Sequence, residues 1–287
     1  MGYKGLFIGL TTLDCIYLSD RHIEPNEKIV ALDYLTAAGG PATNAAVAFS
    51  SFSRFGNQGK LLTVLGKHPL NQLIRSDLKD YPLEIVDLIP QQSISPPVSS
   101  IIVMVNTGER SVISVNAVKT QAKPLNVSRD ILEEIDIVLI DGHQIDVSLA
   151  LIKIANRYQI PVVMDGGSWK PGLEKVLPYV DYAICSANFY PPGCGTIESV
   201  FNFLQNQKIE HIAITQGQQP ILYLKQEIAT IPVPKIEAVD TLGAGDIFHG
   251  AFCHHILKED FATALNSAAL IASKSCQYFG TRKWLTL

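Results

Sequence analysis

The sequence predicts an α/β protein with a mostly parallel central sheet flanked by helices. From residue 136 onward, short apolar runs alternate with stretches of helical length, the pattern of successive β–α units. A glycine-rich turn at 240–246 leads from extended segments into an apolar helix. An alternating stretch between 98 and 115, interrupted by Gly108, predicts a β-hairpin that can belong to a second, smaller sheet.

Length, composition and charge limit what kind of protein this can be. The chain has 287 residues, 47% hydrophobic and 17% charged, enough for one large α/β domain with a small appendage or for two medium domains. Its net charge of -4 gives no reason to expect nucleic acid or an acidic membrane as a partner. Five scattered cysteines without a CxxC pair indicate reduced thiols and a cytoplasmic protein. The apolar run 6–18 contains Asp14 and lacks a cleavage site, so we expect a strand there rather than a signal peptide or membrane span.

Apolar runs and turn signals place the individual elements along the chain. In the first half we predict strands at 6–10 and 61–65, helices at 45–52 and 71–79, and extended pieces at 15–18, 29–32, 98–105 and 111–115. In the second half we predict strands at 137–140, 160–164, 182–185 and 211–214, helices at 147–158, 173–177, 196–206 and 261–277, and extended pieces at 231–234 and 236–239. Parallel strands share one carboxyl edge, where ligands bind in open α/β sheets.

The glycine turn Asp-Thr-Leu-Gly-Ala-Gly-Asp at 240–246 predicts an anion site. Gly243 and Gly245 permit a sharp turn and a close approach of the backbone to a ligand. The first amides of the following helix lack intrahelical partners, and the helix dipole favours an anion there. Asp246 then stands beside the anion, where a carboxylate can accept the proton of a hydroxyl group that attacks a phosphoryl group. Taken alone, Gly-x-Gly-Asp is equally explained by an acid that only stabilises its own helix.

A second motif precedes the small-residue helix in the first half of the chain. The pair Gly39-Gly40 allows a ligand to approach the backbone, and Asn44 offers the donors and acceptors that suit a polyol. Asp14 follows the first predicted strand, at the edge where ligands bind. Each also has a local explanation, as tight packing of an alanine-rich helix start or as a turn residue.

Together, the two motifs resemble the signatures of the ribokinase/PfkB family of sugar and nucleoside kinases. The run at 240–246 resembles the C-terminal signature, and Gly-Gly-x-x-x-Asn-x-Ala from Gly39, with Gly56 and Gly66 downstream, resembles the N-terminal one. The resemblance covers essentially the whole chain. It implies a single ribokinase-like kinase domain over 1–287, with a small β-sheet lid formed by about 12–36 and 95–117 that often makes the contact of a homodimer.

The same resemblance implies ATP and Mg²⁺ as cofactors and gives roles to particular residues. Asp246 would be the catalytic base, with an anion hole formed by Gly243, Ala244 and Gly245. The residues implied near the sugar are Asp14, Gly39, Gly40, Asn44 and Arg110. Those implied near the nucleotide are Ser186, Thr215, Gly217, Gly243, Gly245 and Cys276. A monovalent cation such as K⁺, near Asp240 and 276–280, is implied by the resemblance alone.

Within the family, the chain is similar to ketohexokinase and, more closely, to bacterial sulfofructose kinases. The segments that carry this similarity are 9–14, 39–42, 215–217, 240–251 and 272–276. Both kinds of enzyme act on the hydroxymethyl group of a fructose-like ketose. The resemblance therefore implies transfer of the γ-phosphate of ATP to a hydroxymethyl group of a small sugar of this kind.

Two alternatives stay open from the sequence. The acceptor could be a nucleoside of the adenosine type, although no aromatic residue that could hold a base occurs at 93–118. The chain could also be a catalytically weak sugar-binding regulator, because Ser186 and Phe189 stand where many relatives carry an Asn-x-x-Glu motif that supports magnesium and phosphate. The residues that would hold magnesium are therefore unassigned. His249 and His143 are weaker candidates for sugar contact, and His249 is better explained as a packed helix histidine.

Overall fold

A large sheet with helices on both faces forms the main body of the molecule, which a computed structural model describes for residues 2–115, 121–124 and 127–286. The strands in this part of the chain are β1 (Lys4–Ile8), β2 (Thr12–Ser19), β3 (Asp33–Gly39), β4 (Gln58–Thr63), β5 (Leu83–Asp87), β6 (Val98–Met104), β7 (Arg110–Ser114), β8 (Ile137–Ile140), β9 (Val162–Gly166), β10 (Tyr182–Ser186), β11 (His211–Gln216), β12 (Gln219–Leu224) and β13 (Ile228–Ile231). The helices are α1 (Pro41–Ser50), α2 (Leu70–Leu78), α3 (Ile145–Arg157), α4 (Ile197–Asn206), α5 (Ala244–His255) and α6 (Phe261–Ser275). The α/β architecture predicted from the strand–helix alternation is confirmed.

The main sheet has the strand order β13-β12-β11-β10-β9-β8-β1-β4-β5 among the described residues. The strands from β11 to β5 pair in parallel, whereas β12 and β13 extend one edge with antiparallel pairing. The chain order reverses around β1, which lies between β8 and β4. In open α/β sheets, such a reversal creates a crevice at the carboxyl ends of the strands, and this crevice is where a ligand is expected.

Hydrophobic cores lie on both faces of the main sheet. In β1, Phe7 belongs to one core while Leu6 and Ile8 belong to the other, and all three are completely buried. Helices α1, α2, α5 and α6 cover the core of Phe7, and α3 and α4 cover the opposite one. Burial on both faces is the reason that these strands appear in the sequence as continuous apolar runs.

The close packing of α1 and α5 joins two motifs that are far apart in the sequence. A Cβ atom on Gly250 would overlap the carbonyl oxygen of Ala45 and would lie 2.7 Å from the Cβ atom of Ala48, so only glycine permits this approach. The alanines of α1 indicate tight packing around the start of this helix, and α1 does pack tightly, against α5. As a result, the first turn of α5 lies beside the first turn of α1.

A second sheet, in the order β3-β2-β6-β7, forms the predicted lid sheet. Strand β2 pairs in parallel with β6, and the other two pairs are antiparallel. Its inner face packs Ile16, Ile101 and Val103 against Phe279 and against Leu242 of the glycine turn. The hairpin predicted at 98–115 is confirmed as β6 and β7. Residues 116 and 117 of the predicted lid lie outside the described residues.

The extended piece predicted at 29–32 is wrong, because the strand that pairs with β2 lies later in the chain, in β3. Val30 and Leu32 are 86% and 57% exposed, whereas Leu35 packs into the core of the lid sheet. The apolar run at 29–32 suggested a strand, but contact with the inner face of β2 selects Leu35 instead.

The edges of the main sheet also differ from the prediction. The sequence does not predict β5, β12 or β13, and the extended piece at 236–239 is not a strand. Each of these three strands has at most one buried residue, because all three lie at or next to an edge of the sheet. The helix predicted at 173–177 is a pair of 3₁₀ turns, at Leu173–Lys175 and Leu177–Tyr179.

Among the described helices, none combines the length and apolar character that crossing a membrane requires.

Candidate active site

The predicted glycine turn at 240–246 folds as the entry into α5. Gly243 has a left-handed backbone with a φ angle of 71°, and a Cβ atom there would lie 2.8 Å from the side chain of Thr281. A Cβ atom on Gly245 would meet nothing within 4 Å, so this side of the turn is open. The N–H group of Ala244 donates a hydrogen bond of 3.3 Å to the carbonyl oxygen of Thr241. The next amides of this first turn, those of Gly245 and Asp246, precede the regular hydrogen bonding of α5 and are the ones available to an anion. The anion hole of Gly243, Ala244 and Gly245 stays a prediction.

Asp246 follows this turn and accepts a hydrogen bond from Asn44. Nδ2 of Asn44 lies 2.8 Å from Oδ2 of Asp246. Oδ1 of Asn44 in turn accepts a hydrogen bond of 2.9 Å from Nη1 of Arg282. Because a guanidinium group can only donate, Arg282 determines which way the Asn44 amide faces. The N-terminal motif, the predicted base and the C-terminal segment thus form one hydrogen-bonded chain.

The surroundings of Asp246 favour the protonated form of its carboxyl group. Removal from water has the largest effect and raises its pKa, and the negative charge of Asp165 adds to this. The hydrogen bond from Asn44 and the attraction of His249 and Arg110 act in the opposite direction, and the pKa is raised to about 7. Asp246 keeps partial access to solvent. A base with a pKa near neutrality is well matched to accepting a proton at neutral pH.

Asp165 is a second carboxylate close to Asp246. It lies in β9, is 6% exposed, and its Oδ2 atom is 3.6 Å from Nδ1 of His249. The ring of His249 is enclosed, with Nδ1 at 2.7 Å from the carbonyl oxygen of Gly245 and Nε2 at 3.1 Å from that of Ile184. Its nitrogens therefore contact protein groups, which agrees with the interpretation of His249 as a packed helix histidine.

Asp14 lies within β2 of the lid sheet rather than in a turn after the first strand. Its carboxylate is buried and accepts a hydrogen bond of 2.7 Å from Oγ1 of Thr12. A Cβ atom on Gly39 would overlap this carboxylate, so the glycine provides the space that Asp14 occupies. Burial raises the pKa of Asp14, and hydrogen bonds from Thr12 and Ser99 and the charge of Arg282 oppose this only in part. Two residues predicted near the sugar, Asp14 and Gly39, are therefore in contact.

Asp141 ties the start of α1 to the carboxyl ends of β1 and β8. It accepts hydrogen bonds from the backbone N–H groups of Leu10, at 2.8 Å, and Ala42, at 3.2 Å. Burial raises its pKa, but the charge and hydrogen bond of His143 and the bond from Leu10 outweigh burial and lower the pKa to about 2. Gly40 begins α1 with a φ angle of 96°, and a Cβ atom there would overlap the carbonyl oxygen of Leu10. The contact of His143 with Asp141 is one within the protein, and it stabilises the charged form of the Asp141 carboxylate.

Arg110 reaches from the lid sheet to the glycine turn. Its Nη1 atom donates hydrogen bonds to the carbonyl oxygen of Thr241 at 3.1 Å and to Oγ1 of the same residue at 2.9 Å. The side chain is exposed, and its charge acts on the carboxyl group of Asp246. Arg110 thus joins the lid sheet to the glycine turn, and its contact with a sugar stays a prediction.

Three of the predicted nucleotide contacts lie together at the carboxyl ends of β10 and β11. Ser186 and Thr215 are partners in the sheet register. Oγ of Ser186 donates a hydrogen bond of 2.7 Å to the carbonyl oxygen of Gly167. Gly217 has a φ angle of 61°, and a Cβ atom there would meet nothing within 4 Å. This part of the sheet edge is open to a ligand.

Cys276 contributes its backbone rather than its thiol to this region. Its side chain is buried, and burial raises the pKa of the thiol. Its carbonyl oxygen accepts hydrogen bonds from the N–H groups of Val239, at 2.8 Å, and Asp240, at 3.1 Å. The carboxylate of Asp240 accepts bonds from the N–H groups of Leu242, at 2.8 Å, and Gly280, at 2.9 Å. These contacts hold the chain that leads into the glycine turn, and a direct contact of Cys276 with a nucleotide stays a prediction.

The described residues contain no cluster of three side chains able to hold a metal ion. Phe189, at one position of the missing Asn-x-x-Glu motif, is buried in the core with its ring 5.7 Å from that of Trp169. Mg²⁺ is commonly held by one or two carboxylates together with substrate phosphates. The site therefore fits magnesium that arrives on a nucleotide, with Asp165 and Asp246 as the nearby carboxylates. The monovalent cation near Asp240 stays a prediction.

Sequence reasoning missed three charged residues of this site. Asp141 and Asp165 stand at the ends of the strands predicted at 137–140 and 160–164, on the ligand edge, so their position was an available signal. Arg282 belongs to a C-terminal segment without motif or periodicity, and only its contact with Asn44 reveals its role.

Comparison with known proteins agrees with this geometry. The family model described as pfkB family carbohydrate kinase matches residues 4–286. Ribokinase of Bacillus subtilis (strain 168) is 25% identical over 284 residues, which cover 96% of this chain and 93% of that protein. Fructosamine kinase FrlD of the same organism is 27% identical over 257 residues, 84% of each chain. The solved structure of ribokinase from Giardia lamblia matches with a TM-score of 0.83 at 18% identity, over 99% of this chain and 96% of that one, which shows a shared fold. Because the family model spans nearly the whole sequence, this chain belongs to the pfkB family of carbohydrate kinases.

Proposed function

We propose that the protein transfers the γ-phosphate of ATP to a hydroxymethyl group of a small, fructose-like ketose. The observation that carries the proposal is the 2.8 Å hydrogen bond between Asn44 and Asp246. It joins the N-terminal motif at 39–46, called the sugar motif below, to the proposed base beside the proposed anion site. A hydroxyl group held by Asn44 would lie within reach of Asp246. The similarity of 9–14 and 240–251 to ketose kinases supports this acceptor, as does a relative named fructosamine kinase.

In the proposed mechanism, Asp246 is the general base. Its carboxylate accepts the proton of the hydroxyl group while the hydroxyl oxygen forms a bond to the γ-phosphorus. The bond between that phosphorus and the β,γ-bridging oxygen breaks, and ADP leaves with the electron pair. The amides at 243–245 stabilise the charge on the transferring group. Magnesium on the phosphates would neutralise further charge, and positioning supplies most of the remaining catalysis.

The lid sheet would complete the sugar site. It carries Asp14, whose carboxylate is an acceptor for sugar hydroxyl groups, and Arg110, whose charge lies at the mouth. Closure of this sheet over the sugar would exclude water, which strengthens the electrostatic contacts within the site. Gly39 and Gly40 would let the sugar approach the backbone.

We also propose that the protein is a homodimer through the outer face of the lid sheet, and that it acts in the cytoplasm. Tyr17 and Tyr34 stack on this face with ring centroids 6.4 Å apart, and they are 42% and 68% exposed. Ile113, which alternates to the same face, is 75% exposed. An exposed apolar sheet face of this kind supports association with a second copy. All five cysteines are free thiols, which supports a reducing compartment.

The deciding experiment is ATP consumption by the purified protein with magnesium and a panel of fructose, sulfofructose, ribose, other ketoses and adenosine. We expect turnover with one ketose, and its loss in the D246N variant. Turnover with adenosine alone would show that the acceptor is a nucleoside. No turnover with any compound, combined with a rise in melting temperature on adding a sugar, would support a sugar-binding regulator instead.

A further inference from the structure

A cavity of about 400 Å³ opens between the carboxyl ends of β1 and β4 and the segment that leads into β6. None of the sugar or nucleotide residues named above lines it. It shares a wall with the sugar motif, because Leu10 and Thr11 line the cavity and also contact that motif. The Thr11 hydroxyl group lies 2.7 Å from that of Thr43, and the carbonyl oxygen of Leu10 accepts a hydrogen bond of 3.2 Å from Thr43.

The cavity is also next to the strand that carries Asp14. The carbonyl oxygen of Pro97, in the cavity wall, accepts a hydrogen bond of 2.9 Å from the N–H group of Leu13. Val98, also in the wall, is the register partner of Leu13. A sugar held between Asp14 and Asn44 would therefore have the cavity as its neighbour.

The wall of the cavity is mainly aliphatic. Its apolar members include Leu10, Val64, Leu65, Ile94 and Val98. No aromatic ring occurs among the described residues that line it, so a planar base would find no ring against which to stack. The volume falls within the range of about 300–1,000 Å³ that is typical of small-molecule pockets.

The polar side chains in the wall already have partners within the protein. Besides the contact of Thr11 with Thr43, the hydroxyl groups of Thr63 and Ser95 donate to backbone carbonyl oxygens at 2.8 and 3.0 Å. Oε1 of Gln144 accepts a hydrogen bond of 2.9 Å from the N–H group of Ala122. A free polyol would exchange its water for a wall whose polar side chains already have partners, which is unfavourable. An alkyl group would leave water for an apolar surface, which is favourable.

We propose that this cavity binds an aliphatic substituent on the sugar, so that the preferred substrate is an alkyl-substituted ketose rather than the free ketose. The proposal rests on the proposed function, because the sugar is the part of the substrate that leads into the cavity. Each methylene group that enters the cavity is expected to raise kcat/KM about four-fold.

The test compares a ketose with its methyl and butyl glycosides in the wild-type protein. We expect kcat/KM for the butyl compound to exceed that for the free ketose by about ten-fold or more. The I94N variant, which places an amide in the cavity wall, should reduce this ratio. V64T, which keeps the side-chain shape and adds a hydroxyl group, should reduce it as well. I228N changes an exposed isoleucine in β13, outside the cavity lining, and should leave the ratio as in the wild type.

The two proposals fail in different ways. Phosphorylation of the free ketose with no gain for the butyl glycoside, or a gain that I94N and V64T leave intact, would overturn the cavity proposal and retain the kinase. Absence of phosphorylation with every sugar would overturn the proposed acceptor. In that case the rise in melting temperature on adding the butyl glycoside tests whether the cavity binds the alkyl group. A larger rise in the wild type than in V64T supports the cavity proposal, and equal rises reject it.

Discussion

Nη1 of Arg282 lies 2.9 Å from Oδ1 of Asn44, and this contact orients the amide that donates a hydrogen bond to Asp246. Nη2 of the same arginine donates a hydrogen bond of 2.6 Å to the carbonyl oxygen of Ala38. One guanidinium group therefore contacts both Asn44 and the residue that precedes the pair Gly39-Gly40. Arg282 does not contact the proposed base itself, so its role is to position Asn44.

Replacement of Arg282 by glutamine should lower kcat/KM about ten- to hundred-fold, because a shift of about 1 Å in a positioning group can cost that much. Lysine at this position should restore part of the loss, since it can still donate to Asn44. R157Q is a matched control, because Arg157 is exposed in the last turn of α3. Steady-state kinetics with the preferred sugar checks this, and an R282Q protein with normal kinetics would show that Asn44 is positioned without the arginine.

Replacement of Asp246 by asparagine should lower kcat about 10²- to 10⁴-fold, the usual contribution of a general base. It should not destabilise the fold. The pKa of Asp246 is raised from 3.8 to about 7, so its charged form is disfavoured in the folded protein, and its contribution to stability falls as the pH rises through that interval. When the pH is raised from 4 to 8, the stability of D246N should therefore increase relative to that of the wild type. Urea unfolding at both pH values measures this, and a stability difference between variant and wild type that is the same at pH 4 and pH 8 would contradict the assigned environment.

The pH dependence of kcat/KM should show an acid limb near the pKa of Asp246, which is raised to about 7. Activity should fall below this pH, because the base must be deprotonated to accept the proton. Asp165 contributes to the raised pKa through its negative charge, so D165N should move the acid limb to lower pH. D146N removes an exposed carboxylate from α3 and serves as the control. An acid limb that D165N leaves in place would rule out the coupling of the two carboxylates.

Replacement of Gly250 by alanine should destabilise the protein by about 1–3 kcal/mol, the usual cost of overpacking a dense interior. The added methyl group would overlap the carbonyl oxygen of Ala45 and force α1 and α5 apart. That movement would also separate Asn44 from Asp246 and lower activity. G195A is the control, since a Cβ atom there meets nothing within 4 Å. Denaturant unfolding and kinetics should show both effects in G250A, and a G250A protein with wild-type stability would disprove the tight contact.

The oligomeric state should depend on the outer face of the lid sheet. I113D places a charge on this face and should convert the proposed dimer to a monomer. Y158D changes a tyrosine that is 71% exposed at the end of α3, away from the lid, and should leave the dimer intact. Sedimentation velocity at several protein concentrations gives the answer. A wild-type protein that is monomeric throughout the concentration range would remove this interface.

The sequence by itself determined the α/β architecture, the lid hairpin and the two motifs that meet at the site. These features follow from local rules: strands buried on both faces appear as apolar runs, a glycine turn precedes a helix, and an alternating stretch with a central glycine forms a hairpin. Asp246 and Asn44 could be named as candidates because each belongs to a motif of several residues. The contact between them was not in the sequence, since it depends on how α1 packs against α5.

Only the tertiary structure decided which other charged groups surround the base and which segment completes the lid. Arg282, Asp165 and Asp141 act through partners that are distant in the chain, so no local pattern marks them as a set. Strand β3 was selected over the apolar run at 29–32 because its Leu35 fits the inner face of β2. The raised pKa of Asp246 likewise arises from burial and from the charge of Asp165, which exist only once the two have been brought together by folding.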